Sequence, residues 1–461
     1  MTITLYLKTI CPVHIGCDED YEPTGFVIDE SRSELVSFDP MDFIKSLDEA
    51  QRKRFSDICE KGTVESRMEI MKFMSAKKMN GYRVKVSNGF ISHYKDKLKI
   101  PLGDKTKIRN ELNNFTIART IFNPNTNQPY IPGSSIKGAL RTAWLNKIQK
   151  KKNVRPDRNM KADQLEKQLL DGGAFATDPF RMVKVSDFMP VGIVRTRIVY
   201  AINRKKNPGK VSNENLSPIL EIIEPGSYFK GTITVDDALQ GSGINNPVKI
   251  QSLFNSATSF YSKELGRENS SLSKIGASQC VLKEIPEGGF LICLGRHSGA
   301  EAVTIEGLRN IKIKGPKNAP PLFLPSATTI WLASTDPKPA TNSSLTPFGW
   351  VTFQRNEPLA DEISAINDSY EETAVTATPI KPAYEPVPTT SLTWEKAILS
   401  WSPGDQRLTA ASEGKKAACT GKDLIPESLF EKVVNKRKPT QAKVEVEQEG
   451  NQFRIVKIFE V

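Results

Sequence analysis

The stretch that most limits what this chain can become is residues 130–152, YIPGSSIKGALRTAWLNKIQKKK. Pro132-Gly133 is turn chemistry, Ser134 or Ser135 stands where an N-cap belongs, and Ile136, Leu140, Ala143 or Trp144, and Ile148 recur at three-to-four spacing. The pattern predicts a loop feeding a helix with one apolar face. A helix start carries unpaired N–H groups and partial positive charge, so it attracts an anion, and Gly138 in the first turn lets a ligand's backbone come close. Lys137 and Arg141, one turn apart, add two cations on the same side.

A capped amphipathic helix with solvated basic residues would show much of the same pattern, so the following residues matter. From Lys137 to Lys161 there are nine basic residues, Lys150, Lys151 and Lys152 among them, against the single acid Asp157. One phosphate does not call for that many cations; a polyanion does. The whole chain points the same way, with 64 Lys and Arg against 53 Asp and Glu and a formal charge of +11. That balance favours nucleic acid over a small neutral metabolite.

At 461 residues the chain is expected to hold two to four domains. Residues 3–7 alternate as a half-buried strand, Pro12 breaks it into the loop His14-Ile15-Gly16, a short strand follows at 26–28, and a helix is expected from Asp39-Pro40 to Cys59. A methionine-rich helix at 62–80, which reads as packing, precedes strands at 82–86 and 115–122. After the basic helix come strands at 181–185 and 191–200. A second basic stripe then runs from Arg195 through Arg197, Arg204, Lys205 and Lys206 to Lys210 without an acid. Alternation at 220–223 and 228–235 around Pro225-Gly226 predicts a hairpin, and 247–265 an amphipathic helix. A buried strand, 289–295, runs into Arg296-His297-Ser298-Gly299-Ala300, a loop able to present amides to a phosphate. Strands are expected again at 330–333 and 350–353. Residues 356–391 read as a linker rich in Pro, Thr, Glu and Ala. Residues 392–461 read as a small β-rich domain ending in a hairpin of 443–447 with 453–459. The fold class is α+β.

Several chemistries are excluded. The six cysteines form no C-x-x-C pair, and His14, His93 and His297 show no metal-ligand spacing, so no metal or other cofactor is expected. Ser134-Ser-Ile-Lys137 matches S-x-x-K but lacks the S-D-N and K-T-G partners of the penicillin-recognising hydrolases. No phosphate-loop motif occurs, no apolar run is long enough to span a bilayer, and the N-terminus lacks signal-peptide character. A cytoplasmic protein without membrane contact is expected. Acid–base RNA cleavage by His14 or His297 stays open as chemistry.

His14-Ile15-Gly16, Ile131-Pro-Gly-Ser-Ser-Ile-Lys-Gly-Ala-Leu-Arg-Thr142 and Leu294-Gly-Arg-His-Ser-Gly-Ala300 together resemble the RAMP superfamily of type III CRISPR effector complexes, in its Csm-type branch. The likeness covers about residues 1–353. It implies two ferredoxin-like (RRM-like) domains packed together, at 1–180 with a helical insertion and at 181–355, with the domain after 392 as an accessory. It implies a subunit that binds guide RNA (crRNA) along its phosphates, caps the filament at the guide's 3′ end and supports guide maturation. Its partners would be the other effector subunits, target RNA indirectly, and recruited host nucleases. It also implies no nuclease site, and it adds His14, Gly16, Gly133, Arg296, His297 and Ser298 to the RNA-contacting set. The family's target-cutting subunit carries a catalytic aspartate after its first strand; Asp18 and Asp20 lie in such a loop here, but the surrounding G-C-D-E-D-Y-E-P does not match that motif. Metal-dependent cutting and histidine-based repeat processing are the alternative activities.

Overall fold

A computed structural model describes residues 1–155, 160–172, 175–207, 217–313, 320–359, 391–402, 407–412, 414–420, 424–436, 438–449 and 452–459. The chain divides into two compact units, Met1–Val375 and Thr376–Val461. The expected linker lies almost wholly outside the described residues, as do Arg158 and Lys210.

Within the first unit, Thr2–Thr9 forms the middle of an antiparallel sheet because Leu5 and Leu7 alternate inward and are fully buried. Tyr228–Val235 pairs on one side of it and Trp350–Gln354 on the other; Val183–Val185 and Phe290–Cys293 extend the sheet outward. Two helices cover the sheet, Gly133–Lys152 and Ile250–Lys274. The expected apolar face of the first is the one that is buried, through Ile136, Leu140, Ala143 and Trp144, in one core with Leu253, Phe254, Ala257 and Tyr261 of the second.

A second sheet runs in the order Gly16–Tyr21, Ile117–Thr120, Ile219–Ile223, Thr196–Lys205, Tyr82–Lys85, Glu34–Ser37, Phe26–Asp29, with Thr329–Ser334 also paired to Thr196–Lys205. One face packs on helices Val64–Ser75, Asn88–Leu98 and Lys105–Asn113. Both sheets draw strands from either side of residue 180, so the two halves of the sequence interleave.

Several sequence expectations are corrected. The strands at 219–223 and 228–235 do not form a hairpin: the first belongs to the second sheet and the second to the first. Gly226, at φ +91°, turns the chain between the sheets, and each strand finds a partner in its own sheet. The expected helix from 40 to 59 is two, Pro40–Lys45 and Glu49–Glu60, because Asp39 and Asp48 each cap a separate start. Helices at 88–98, 105–113 and 162–170 are additional to those expected.

The second unit is a closed barrel in the order Ser391–Ser402, Arg407–Ser412, Lys415–Thr420, Gln452–Phe459, Thr440–Glu449, with a helical segment from Glu427 to Asn435 between the third and fourth strands in sequence. That is the strand order of a five-stranded OB-type barrel. The expected terminal hairpin is present as Thr440–Glu449 with Gln452–Phe459.

Candidate nucleic-acid interface

Two of the three sequence motifs meet at the seam between the sheets. The chain leaves the first sheet at Thr9, makes a bridge from Val13 to Ile223, and enters the second at Gly16. The loop after Cys293 returns to this crossing: Arg296 N donates to His14 O at 2.8 Å, and Gly349 N donates to Pro12 O at 2.8 Å. Gly295, at φ +79°, is needed here because a Cβ would stand 2.3 Å from His14 O.

The residues at this seam divide by accessibility. His14 is fully buried; its Nδ1 lies 2.7 Å from Glu221 O, which makes Nδ1 the donor and leaves Nε2 deprotonated, enclosed and without a partner. His297, at φ +70°, packs its ring against Trp331 and Phe348, and Ser298 Oγ is turned inward onto Gly295 O at 2.9 Å. Burial holds all three histidines below the usual range, His93 and His297 at about 4. His14, His297 and Ser298 therefore shape the seam from inside, while Gly16 and the Arg296 side chain face outward.

The third motif, the central corner, is rebuilt from what the sequence suggested. The helix begins at Gly133 with Pro132 as its cap residue, and neither Ser134 nor Ser135 makes a capping bond. The Gly133 amide is taken instead by Asp187 Oδ1 at 2.8 Å, while Ser135 and Ile136 amides bond Pro132 O. A carboxylate thus already occupies part of the positive helix start. Gly133 serves close packing, since a Cβ there would lie 2.3 Å from Val185 O; Gly138 faces open space. Arg141 is committed to Glu166 and Asp178, with its Nη2 at 2.7 and 2.8 Å from their oxygens. Lys137 is part-exposed; burial, with Arg141 nearby and Asp178 opposing, lowers its pKa.

The basic stripes are also partly neutralised. Lys152 pairs with Asp171 at 2.5 Å, Lys150 with Glu306 at 3.5 Å and Lys206 with Glu301 at 2.7 Å; Arg197 pairs with Glu224, and Arg204 Nε bonds Asn342 at 2.9 Å. Arg195 and Lys205 also have partners. Among the described residues, Ser134, Lys137, Lys151 and Arg296 reach solvent with side chains not held by a protein hydrogen bond or ion pair. Asp18, at φ +59°, and Asp20 are exposed, and among the described residues no group of three or more His, Cys, Asp or Glu side chains is placed to hold a metal ion.

Sequence reasoning missed Asp187 and a buried carboxylate. Glu221 sits wholly inside, bonded by Tyr21 OH at 3.1 Å and Thr120 N at 3.3 Å, and burial raises its pKa. Arg119 lies nearby, its guanidinium 3.5 Å from the Phe122 ring centroid and 4.8 Å from that of Tyr21. A lone Glu inside the apolar run Ile-Leu-Glu-Ile-Ile was the signal available, because such a charge needs partners.

Known proteins share parts of this chain. Two curated relatives are Csm5 proteins: that of Streptococcus thermophilus is 27% identical over 249 residues, covering 51% of this chain and 65% of the relative. That of Methanocaldococcus jannaschii is 23% identical over 199 residues, covering 41% and 43%. The matched part thus spans less than two thirds of either relative. Among solved structures, a chain of a Csm–crRNA–target RNA ternary complex is 19% identical with a TM-score of 0.49, over 77% of this chain and 100% of that one. Csm5 of T. onnurineus is 17% identical with a TM-score of 0.43, over 75% and 99%. Residues 6–296 match the RAMP superfamily, a span that takes in His14-Ile15-Gly16, the central corner and the start of the loop at 294–300, and the chain belongs to that superfamily.

Proposed function

We propose that this chain is a guide-RNA-binding, non-catalytic subunit of a type III, Csm-type CRISPR ribonucleoprotein, placed at the guide's 3′ end and supporting guide maturation. The observation that carries the reading is the seam: the His14-Ile15-Gly16 and Gly295–Gly299 loops are locked together by the Arg296–His14 hydrogen bond, with the Arg296 side chain left facing solvent. The central corner contributes Ser134, Lys137 and Gly138, and Lys151 extends the contact along the helix. Arg141, Lys150, Lys152, Arg197 and Lys206 hold these elements in place through ion pairs and make secondary contacts with phosphates.

A non-catalytic role is supported by the state of the histidines. His14 is enclosed and neutral, and His297 is wedged between two rings, so neither can exchange a proton with a substrate at neutral pH. Guide trimming then falls to recruited nucleases. The first sheet's order, with Thr2–Thr9 and Tyr228–Val235 central and two covering helices, supports reading it as a ferredoxin-like unit in which Trp350–Gln354 takes the place beside the first strand.

If phosphates dominate, affinity for single-stranded RNA measured by fluorescence anisotropy should fall with salt, by roughly 0.7 log unit per log unit of salt for each phosphate neutralised. Lys137→Ala, Lys151→Ala and Arg296→Ala should each lower that slope without changing sequence preference. A salt-independent affinity would remove the proposal.

A further inference from the structure

A cavity of about 720 Å³ opens between the helix Ile250–Lys274, the end of the Gly295–Gly299 loop, residues 306–313 and residues 325–331. It lies within the ~300–1,000 Å³ of small-molecule sites. Its charges are matched in sign: Lys206 pairs with Glu301 at 2.7 Å, Arg267 and Arg309 both reach Glu264, at 2.6 and 2.8 Å, and Arg267 also holds Glu306. A phosphate entering here would meet three carboxylates already paired with three of the cations, with Lys312 the further basic residue of the lining.

What remains after this pairing is directional. Arg309, whose side chain is only 6% exposed, has a buried Nε without an acceptor. Glu268 has one oxygen bonded by Trp350 Nε1, and burial, against that bond, lifts its carboxyl to about 7, so near neutrality it offers either a donor or an acceptor. The half-buried indole of Trp331, backed by the His297 ring at 5.0 Å between centroids, lines the same space. An aromatic wall beside a spare carboxyl oxygen, in a lining whose charges largely cancel, is the chemistry that recognises an unstacked base of single-stranded RNA.

We propose that this cavity receives one nucleobase of the bound RNA and so gives the subunit a base preference at a single position, a reading that rests on the RNA binding proposed above. The loop that closes the seam with Arg296 also lines the cavity with Ser298 and Gly299, so backbone contact at the seam and base entry here would be adjacent along one strand.

The test uses the full chain and a set of short single-stranded RNAs, each carrying one 2-aminopurine at a successive position. One position should change emission strongly on binding and its neighbours should not. Ser326→Trp fills the cavity from an exposed residue, so the fold is kept. It should abolish that signal and weaken binding about tenfold, the effect of one stacked base, with the salt slope unchanged. Glu268→Gln, which preserves shape, should change which base at that position binds best. Wild-type binding with no position-specific signal, or an unchanged signal in Ser326→Trp, would overturn the cavity proposal and leave RNA binding standing. No binding of any RNA by the wild type would overturn both.

Discussion

Gly295→Val and Gly133→Val should each yield little folded protein, whereas Gly138→Val should fold as well as the wild type. At Gly295 the backbone is left-handed and a Cβ would stand 2.3 Å from His14 O; at Gly133 it would stand 2.3 Å from Val185 O. Both obstacles are main chain and cannot swing aside, so the sheet seam or the helix start must move, at a cost of several kcal/mol, on the order of total domain stability. Nothing lies within 4 Å of where a Cβ on Gly138 would stand, and replacing a helical glycine by valine recovers about a few tenths of a kcal/mol of helix propensity. If Gly138 is where RNA approaches, its valine variant separates the two properties: unfolding temperature held or raised, guide affinity lost. Thermal unfolding and anisotropy on the three variants check this directly. A Gly138→Val variant that binds RNA normally would show that the corner is only a packing helix.

The buried histidines should make the protein lose stability as pH falls below about 6.5, before most of its carboxylates protonate. His93 and His297 are held at about 4, and burial lowers His14 too, against an unfolded value near 6.5. A folded pKa below the unfolded one means that the stabilisation is complete above about pH 6.5 and is lost as pH falls through the window from about 6.5 to 4. His93 and His297 are each worth on the order of 1–3 kcal/mol across that window, and His14 adds in the same direction. Glu268, lifted to about 7, works in the opposite direction between about 4.5 and 7, since protonation favours its folded form. Glu306, held at about 2, stabilises down to lower pH and loses its contribution below about 4.5. Glu221, also raised by burial, works with Glu268 against the three histidines, so the histidine contribution is read as a difference: between pH 7 and pH 5 His297→Gln should lose less unfolding temperature, or gain more, than the wild type. The same pH dependence in His297→Gln and in the wild type would show that the His297 ring is solvated.

The sequence exposed the central helix because its apolar face follows one period for several turns, and Ile136, Leu140, Ala143 and Trp144 are indeed among its buried residues. The terminal hairpin was legible for the same reason at period two. The sorting of strands into two sheets was not, because Ile219–Ile223 and Tyr228–Val235 are both apolar and are joined by a turn that reads as a hairpin. Only the partners, Thr196–Lys205 for one and Thr2–Thr9 for the other, decide the matter, and they are distant in sequence. The site was legible as three motifs, but not in how each residue serves it. Whether Arg141 faces a phosphate or Glu166 depends on a helix twenty-five residues away, and whether Gly133 N is free depends on Asp187. The neutralisation of basic residues by remote acids is invisible to a charge count along the chain.

The most direct measurement is ultraviolet crosslinking of the full chain purified together with its effector subunits and guide RNA, followed by identification of the crosslinked peptides and RNA positions. The account predicts guide RNA in the complex, crosslinked near its 3′ end to peptides containing Ser134 to Arg141 and Arg296 to Gly299. A complex without guide RNA, or crosslinks that avoid both peptides, would contradict it.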